Sequence, residues 1–148
     1  MITITVDTSK FDRMMADFPA AMARAKRVAL EKIGNAVKNR ATDAFKDPSL
    51  RPSPWAPRKD NAPHALLIKH PKGGLWQSIR HRLRGTDTVV IGSDKKYATY
   101  HQHGTKNMPA RPFFPIDRHG QLVPAMASKV ARTVERIYTE ELGKLGKG

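Results

Sequence analysis

LWQSIRHRLRGTDTVVI, residues 75–91, decides what kind of fold this chain adopts. Two runs, 75–83 and 88–91, flank the polar turn Arg84, Gly85, Thr86, Asp87, which is the pattern of a β-hairpin. Side chains alternate across a strand with period two. Ile79, His81 and Leu83 therefore share one side of the first strand, while Ser78, Arg80, Arg82 and Arg84 share the other. The first side suits a core. The second does not, because guanidinium groups packed beneath a helix need partners there. The row Arg80, Arg82, Arg84 is expected to meet water, an acidic subunit or nucleic acid.

Away from the hairpin the chain is mostly helical. Over residues 20–45, Met22, Ala25, Ala29, Ile33, Val37, Ala41, Ala44 and Phe45 recur every three or four positions with Lys and Arg between them, as on a one-faced amphipathic helix. Gly34 in its middle costs about 1 kcal/mol relative to alanine, so it marks either close approach of a neighbour or a local weakness. Upstream, Phe11, Met14, Met15 and Phe18 lie at helical spacing in a shorter helix that Pro19 interrupts. Before that, Ile2, Ile4 and Val6 alternate with Thr3 and Thr5 as in a half-buried strand. Downstream, 96–103 reads as a short helix or turn. Pro109, Pro112 and Pro115 give 104–116 the character of an extended arm, and residues 117–120 form a turn. Val123, Met126, Val130, Val134, Ile137 and Leu142 mark a last helix ending near Gly143, with a frayed tail over 143–148. The fold class predicted is α+β: a small antiparallel sheet with a β-hairpin, packed against two long amphipathic helices. At 148 residues the chain is expected to form a single domain over 1–148.

Residues 47–64 interrupt this pattern with Pro48, Pro52, Pro54, Pro57 and Pro63. Such a stretch reads as a loop, longer than a compact domain commonly holds. Trp55 within it is either a local core anchor or an aromatic contact at a subunit interface.

Charge is the loudest compositional signal, with 27 Lys and Arg against 13 Asp and Glu for a net +14. Half of that excess falls in residues 51–84, where Arg51, Arg58, Lys59, Lys69, Lys72, Arg80, Arg82 and Arg84 face Asp60 alone. Fixed cations at this density attract phosphates or acidic protein surfaces, or simply form a solvated face. There is no cysteine, which excludes disulfides, thiolate nucleophiles and cysteine-ligated zinc and fits a reducing cytoplasm. The opening MITITVDTSKF has no secretory-signal pattern, and no apolar run reaches membrane-spanning length, so no membrane association is expected.

A search for reaction chemistry finds little to assemble. His101 and His103 are one residue apart, but no carboxylate or third histidine stands near them in sequence. Nothing around Ser53, Ser78 or Ser93 resembles a nucleophile elbow. Gly73 and Gly74 precede Leu75 rather than the Lys and hydroxyl residue of a phosphate loop. Neither a catalytic residue nor a metal or cofactor is expected.

The residues Tyr97, Ala98, His101, Gln102, Gly104 and Thr105, followed by Met108, Pro109, Ala110, Arg111, Pro112, Phe113 and Phe114, carry the strongest signal. This run, YATYHQHGTKNMPARPFF, resembles the hallmark of the phage virion-morphogenesis and tail-completion proteins, both the Mu-type members and the neck proteins of other long-tailed phages. Pro54, Trp55 and Pro57, then GGLWQSI over 73–79 and VVIGS over 89–93, follow in the order that family shows, and the resemblance covers roughly residues 10–145. It implies a non-enzymatic virion subunit at the neck, assembled in the host bacterial cytoplasm, that completes the tail and joins it to the head. It further implies a homo-oligomeric ring, a hexamer favoured, between neighbouring neck or tail-terminator proteins. The basic charge, more than ring-building needs, adds packaged DNA or an acidic portal or tail-terminator surface as alternative contacts for Arg80, Arg82 and Arg84. Trp55, Tyr97, His101, Gln102, Arg111, Phe113 and Phe114 become the interface candidates. The alternative for the two phenylalanines is that they complete the monomer's own core. The alternative for the whole chain is a basic nucleic-acid-binding protein outside any virion.

Overall fold

The computed structural model describes residues 2–57, 59, 67 and 74–145. In chain order these form β1 (Ile2–Thr5), α1 (Ser9–Met14), α2 (Pro19–Asp43), β2 (Ile79–Arg84), β3 (Thr88–Ser93), α3 (Ala98–His103) and α4 (Pro124–Leu145). Single 3-10 turns occur at Pro48–Leu50 and Leu75–Gln77. The fold class is α+β, as the hairpin and helix periods predict.

The sheet is antiparallel with strand order β1-β3-β2. In the hairpin, Arg84 pairs with Thr88 and Ile79 with Ser93, and Gly85 supplies the positive φ of 66° that the turn needs. β1 joins the far side of β3, pairing Ile2 with Ile91 and Thr5 with Thr88. The inner face carries Ile2, Ile4, Ile79, Val89 and Ile91, all buried.

α2 is the centre of the molecule and packs against both the sheet and α4. Its buried positions are Ala21, Ala25, Ala29, Leu30, Ile33, Gly34, Val37 and Ala41, mostly small, which lets its neighbours approach closely. Gly34 is a point of close approach: a Cβ there would stand 2.5 Å from His81 Cδ2 and 2.9 Å from Val89 Cγ2. His81 in turn places Nε2 3.0 Å from Glu31 Oε2 on the same helix. Beside α2's N-terminus, Asp12 ties three elements together. Its carboxylate accepts hydrogen bonds from Thr8 Oγ1 at 2.8 Å and the Tyr138 hydroxyl at 3.2 Å, and it pairs with Lys26 at 3.3 Å. Arg24 on α2 lies 3.9 Å from Glu141 near the end of α4, so the two long helices run antiparallel.

The structure departs from the sequence reading at three places. α1 ends at Met14, so the helical phase that linked Phe11, Met14, Met15 and Phe18 is lost. Met15 is buried, but Met14 and Phe18 are exposed. α4 continues through Gly143 to Leu145, so 143–145 of the expected frayed tail are helical; 146–148 lie outside the described residues. Residues 104–116 follow an irregular path but lie folded against their own body, not away from it. Of the Pro-rich loop, 47–57 and 59 are described; Arg58, Asp60, Lys69 and Lys72 lie outside the described residues.

Candidate functional site

Residues 97–114 form a latch over the end of the molecule where α2 finishes. α3 stops at Gly104, whose φ is 74°; a Cβ there would stand 2.8 Å from the Ala110 nitrogen, so glycine alone fits the reversal. The chain turns over a bridge between Thr105 and Met108 and returns beside α3, where the Arg111 N–H donates to the His101 carbonyl at 2.7 Å. Pro112 and Pro115 exclude this strand-like segment from any regular ladder. Gln102 replaces the missing partner: its buried Oε1 accepts from the N–H groups of both Phe113 and Phe114 at 3.0 Å. Without it, two buried donors would stand unpaired.

The proline-rich loop closes on the same segment. Trp55 donates from Nε1 to the Pro112 carbonyl at 2.7 Å and meets Phe45 edge-on at 5.8 Å. Phe113 packs between Phe45, at 5.1 Å, and Phe114, at 4.5 Å. Arg111 reaches back to donate from Nε to the Ala56 carbonyl at 3.1 Å and from Nη2 to the Pro57 carbonyl at 3.2 Å. Arg51 lies 3.7 Å over the Trp55 ring and donates to the carbonyls of Ala44 at 2.7 Å and Phe45 at 3.2 Å. It thereby satisfies backbone acceptors that the end of α2 leaves open. His101 stands at the heart of the latch with Nδ1 buried and unpartnered among the described residues. Desolvation, then the Arg111 charge, hold its pKa below the ordinary histidine value.

The predicted interface residues thus divide. Trp55, Gln102, Phe113 and Phe114 are buried in the monomer, which is the core role that the sequence left open for Trp55 and the phenylalanines. His101 and Arg111 are half-buried and engaged within the latch. Only Tyr97 is exposed, at 41%. Its neighbour Tyr100, 53% exposed one helical turn on, was passed over although it stands in the same motif. Met14 at 57% and Phe18 at 47% were read as helix-face residues and are likewise exposed. Arg80, Arg82 and Arg84 project from the sheet face opposite α2, exposed as their alternation predicts. Arg80 folds back so that Nη1 donates to the carbonyls of Gln77 and Ile79.

Among the described residues, no group of three or more His, Cys, Asp or Glu side chains is placed to hold a metal ion. Ser78 donates to the Leu75 carbonyl at 2.6 Å and shares a 2.6 Å hydrogen bond with Ser93, so it is engaged in structure and not paired with a base. Two open depressions, of about 290 and 490 Å³, flank Arg80. The smaller is lined by Ser78, Asp94 and Lys95 beside Arg80, with the Ser78 hydroxyl turned to Leu75 and Ser93 and not to Asp94 or Lys95. No helix among the described residues is long and apolar enough to cross a membrane.

Fold and site together define a class: a small α+β protein whose distinctive side chains, among the described residues, hold its own chain together. The match to a known family is then specific. Residues 6–134 fit the model of the phage virion morphogenesis family, and the chain belongs to that family. Comparison with curated proteins and with solved structures gave no match.

Proposed function

We propose that this protein is a structural subunit of a long-tailed phage virion that completes the tail and joins it to the head at the neck, working as a ring of copies of itself. One observation carries the ring. Among the described residues, the exposed large apolar side chains fall in two clusters, Met14 with Phe18 and Tyr97 with Tyr100. The first sits at the corner leading into Pro19, where α2 begins. The second sits on α3, which the latch holds beside Phe45, just past the end of α2. Between these two ends α2 runs for 25 residues, about 37 Å at about 1.5 Å each.

Two different sticky patches at opposite ends of a subunit favour head-to-tail contacts, which close into rings when the rotation allows. Tyrosine, with a large rigid face and a polar tip, is a frequent anchor in such contacts. The latch supports the reading by fixing α3, and so the tyrosine pair, rigidly to the core. Light scattering on the purified chain, alone and with isolated tails or heads, followed by imaging of the mixtures, tests the proposal. A multimeric mass and binding at one end of the tail are expected. A monomer that ignores both tails and heads would overturn it.

A further inference from the structure

The outer face of the sheet is built differently from the rest of the surface. The register sets Arg82 beside Val90 and Thr3, Arg84 beside Thr88 and Thr5, and Arg80 beside Gly92. Side chains of paired residues share a face, so these eight positions form one patch. α2, the helix packed on β2 and β3, lies against the opposite face through His81 and Val89. Thr3, Thr5, Arg80, Arg82 and Arg84 are exposed. None of the eight residues is acidic, and Asp87 in the adjoining turn accepts a hydrogen bond from Thr88 Oγ1 at 3.0 Å. Among the described residues, Arg82 and Arg84 have neither an ion pair nor a hydrogen-bond partner.

We propose that this face docks the phosphate backbone of duplex nucleic acid, with Arg82 and Arg84 as the principal phosphate contacts and Thr3 as a hydroxyl donor, the Thr5 hydroxyl being held by Thr88 at 3.0 Å. Three features favour that occupant. The patch offers cations and hydroxyls, the side-chain groups that contact phosphate without reading sequence. Alternate residues of a strand stand about 6.7 Å apart, close to twice the roughly 3.4 Å axial rise per phosphate of one DNA strand. The patch also lacks what a protein partner needs at the centre of an interface, a large apolar or aromatic anchor. Its one sizeable apolar side chain, Val90, is only 4% exposed. Arg80, held by the carbonyls of Gln77 and Ile79, contributes charge at the edge with less freedom to reach. The inference goes beyond ring assembly and needs only one copy of the chain.

The test is fluorescence anisotropy of the full chain with short labelled duplexes of two unrelated sequences, across a salt series. Both duplexes should bind alike, with log affinity falling linearly against log salt. R82A/R84A should flatten that slope by about 2, close to 1 for each phosphate contact removed. K129A/R132A, which removes the same charge from exposed positions of α4, should leave the slope near that of the unaltered chain. Thermal unfolding of R82A/R84A should be unchanged, which separates lost contacts from lost fold. No binding at the lowest salt, or equal flattening in both variants, would overturn the proposal. Binding of poly-glutamate as tight as that of duplex would also overturn it, by assigning the face to an acidic protein. None of these results depends on whether the chain forms rings.

Discussion

The latch and the outer sheet face divide the molecule's polar side chains in opposite ways. The latch has the most recognisable sequence in the chain, and its special residues point inward: Gln102 to two backbone amides, Trp55 to Pro112, Arg111 to Ala56 and Pro57. The sheet face has no motif beyond alternation, and Arg82 and Arg84 point outward with no partner among the described residues. A memorable stretch of sequence is therefore not automatically a surface. Here most of it is the scaffold that sets α3 and its exposed tyrosines in place.

Stability measurements break or sharpen this contrast. Phe113→Ala should have the largest effect, about 3–5 kcal/mol in denaturant unfolding, because the ring is fully buried among Phe45 and Phe114. Arg82→Ala should stay within about 0.5 kcal/mol of the unaltered chain. Similar losses for both would erase the distinction between the regions. Gln102→Ala comes next, since it strands two buried amides that each cost about 1–3 kcal/mol when unpaired. Slowed amide exchange at Phe113 and Phe114 in the unaltered chain, lost in the variant, would locate the effect.

The smallest effect is a pH dependence. Folding lowers the pKa of His101, first by desolvation and then through the Arg111 charge, from an ordinary value of 6.5. Below 6.5 the unfolded chain takes up that proton more readily than the folded one, so this contribution is complete above 6.5 and is lost as pH falls through the folded value. The melting temperature of the unaltered chain should drop more on acidification than that of His101→Gln. Parallel curves would remove His101 from the account.

Most of the fold was legible because period is a local signal. Ile79, His81 and Leu83 against Arg80, Arg82 and Arg84 gave both faces of β2, and the three-to-four spacing around Ile33 gave α2. The latch was legible as a resemblance but not as a set of contacts. Its bonds join residues 57 apart for Trp55 and Pro112, and no spacing rule foretells that a glutamine side chain replaces a neighbouring strand. Met14 and Phe18 were missed for a related reason. Apolar spacing marks a face, but where a helix stops decides whether that face meets the core, and α1 stops at Met14.

A mixing experiment bears most directly on the ring. One variant would carry Tyr97→Ser and Tyr100→Ser, another Met14→Ser and Phe18→Ser, so that each keeps the patch the other lacks. If the two ends of α2 meet head to tail, each variant alone should remain a monomer by light scattering. Their mixture should advance to a dimer and no further, while the unaltered chain assembles. Variants that assemble like the unaltered chain, or a mixture that stays monomeric, would contradict contact between these two patches.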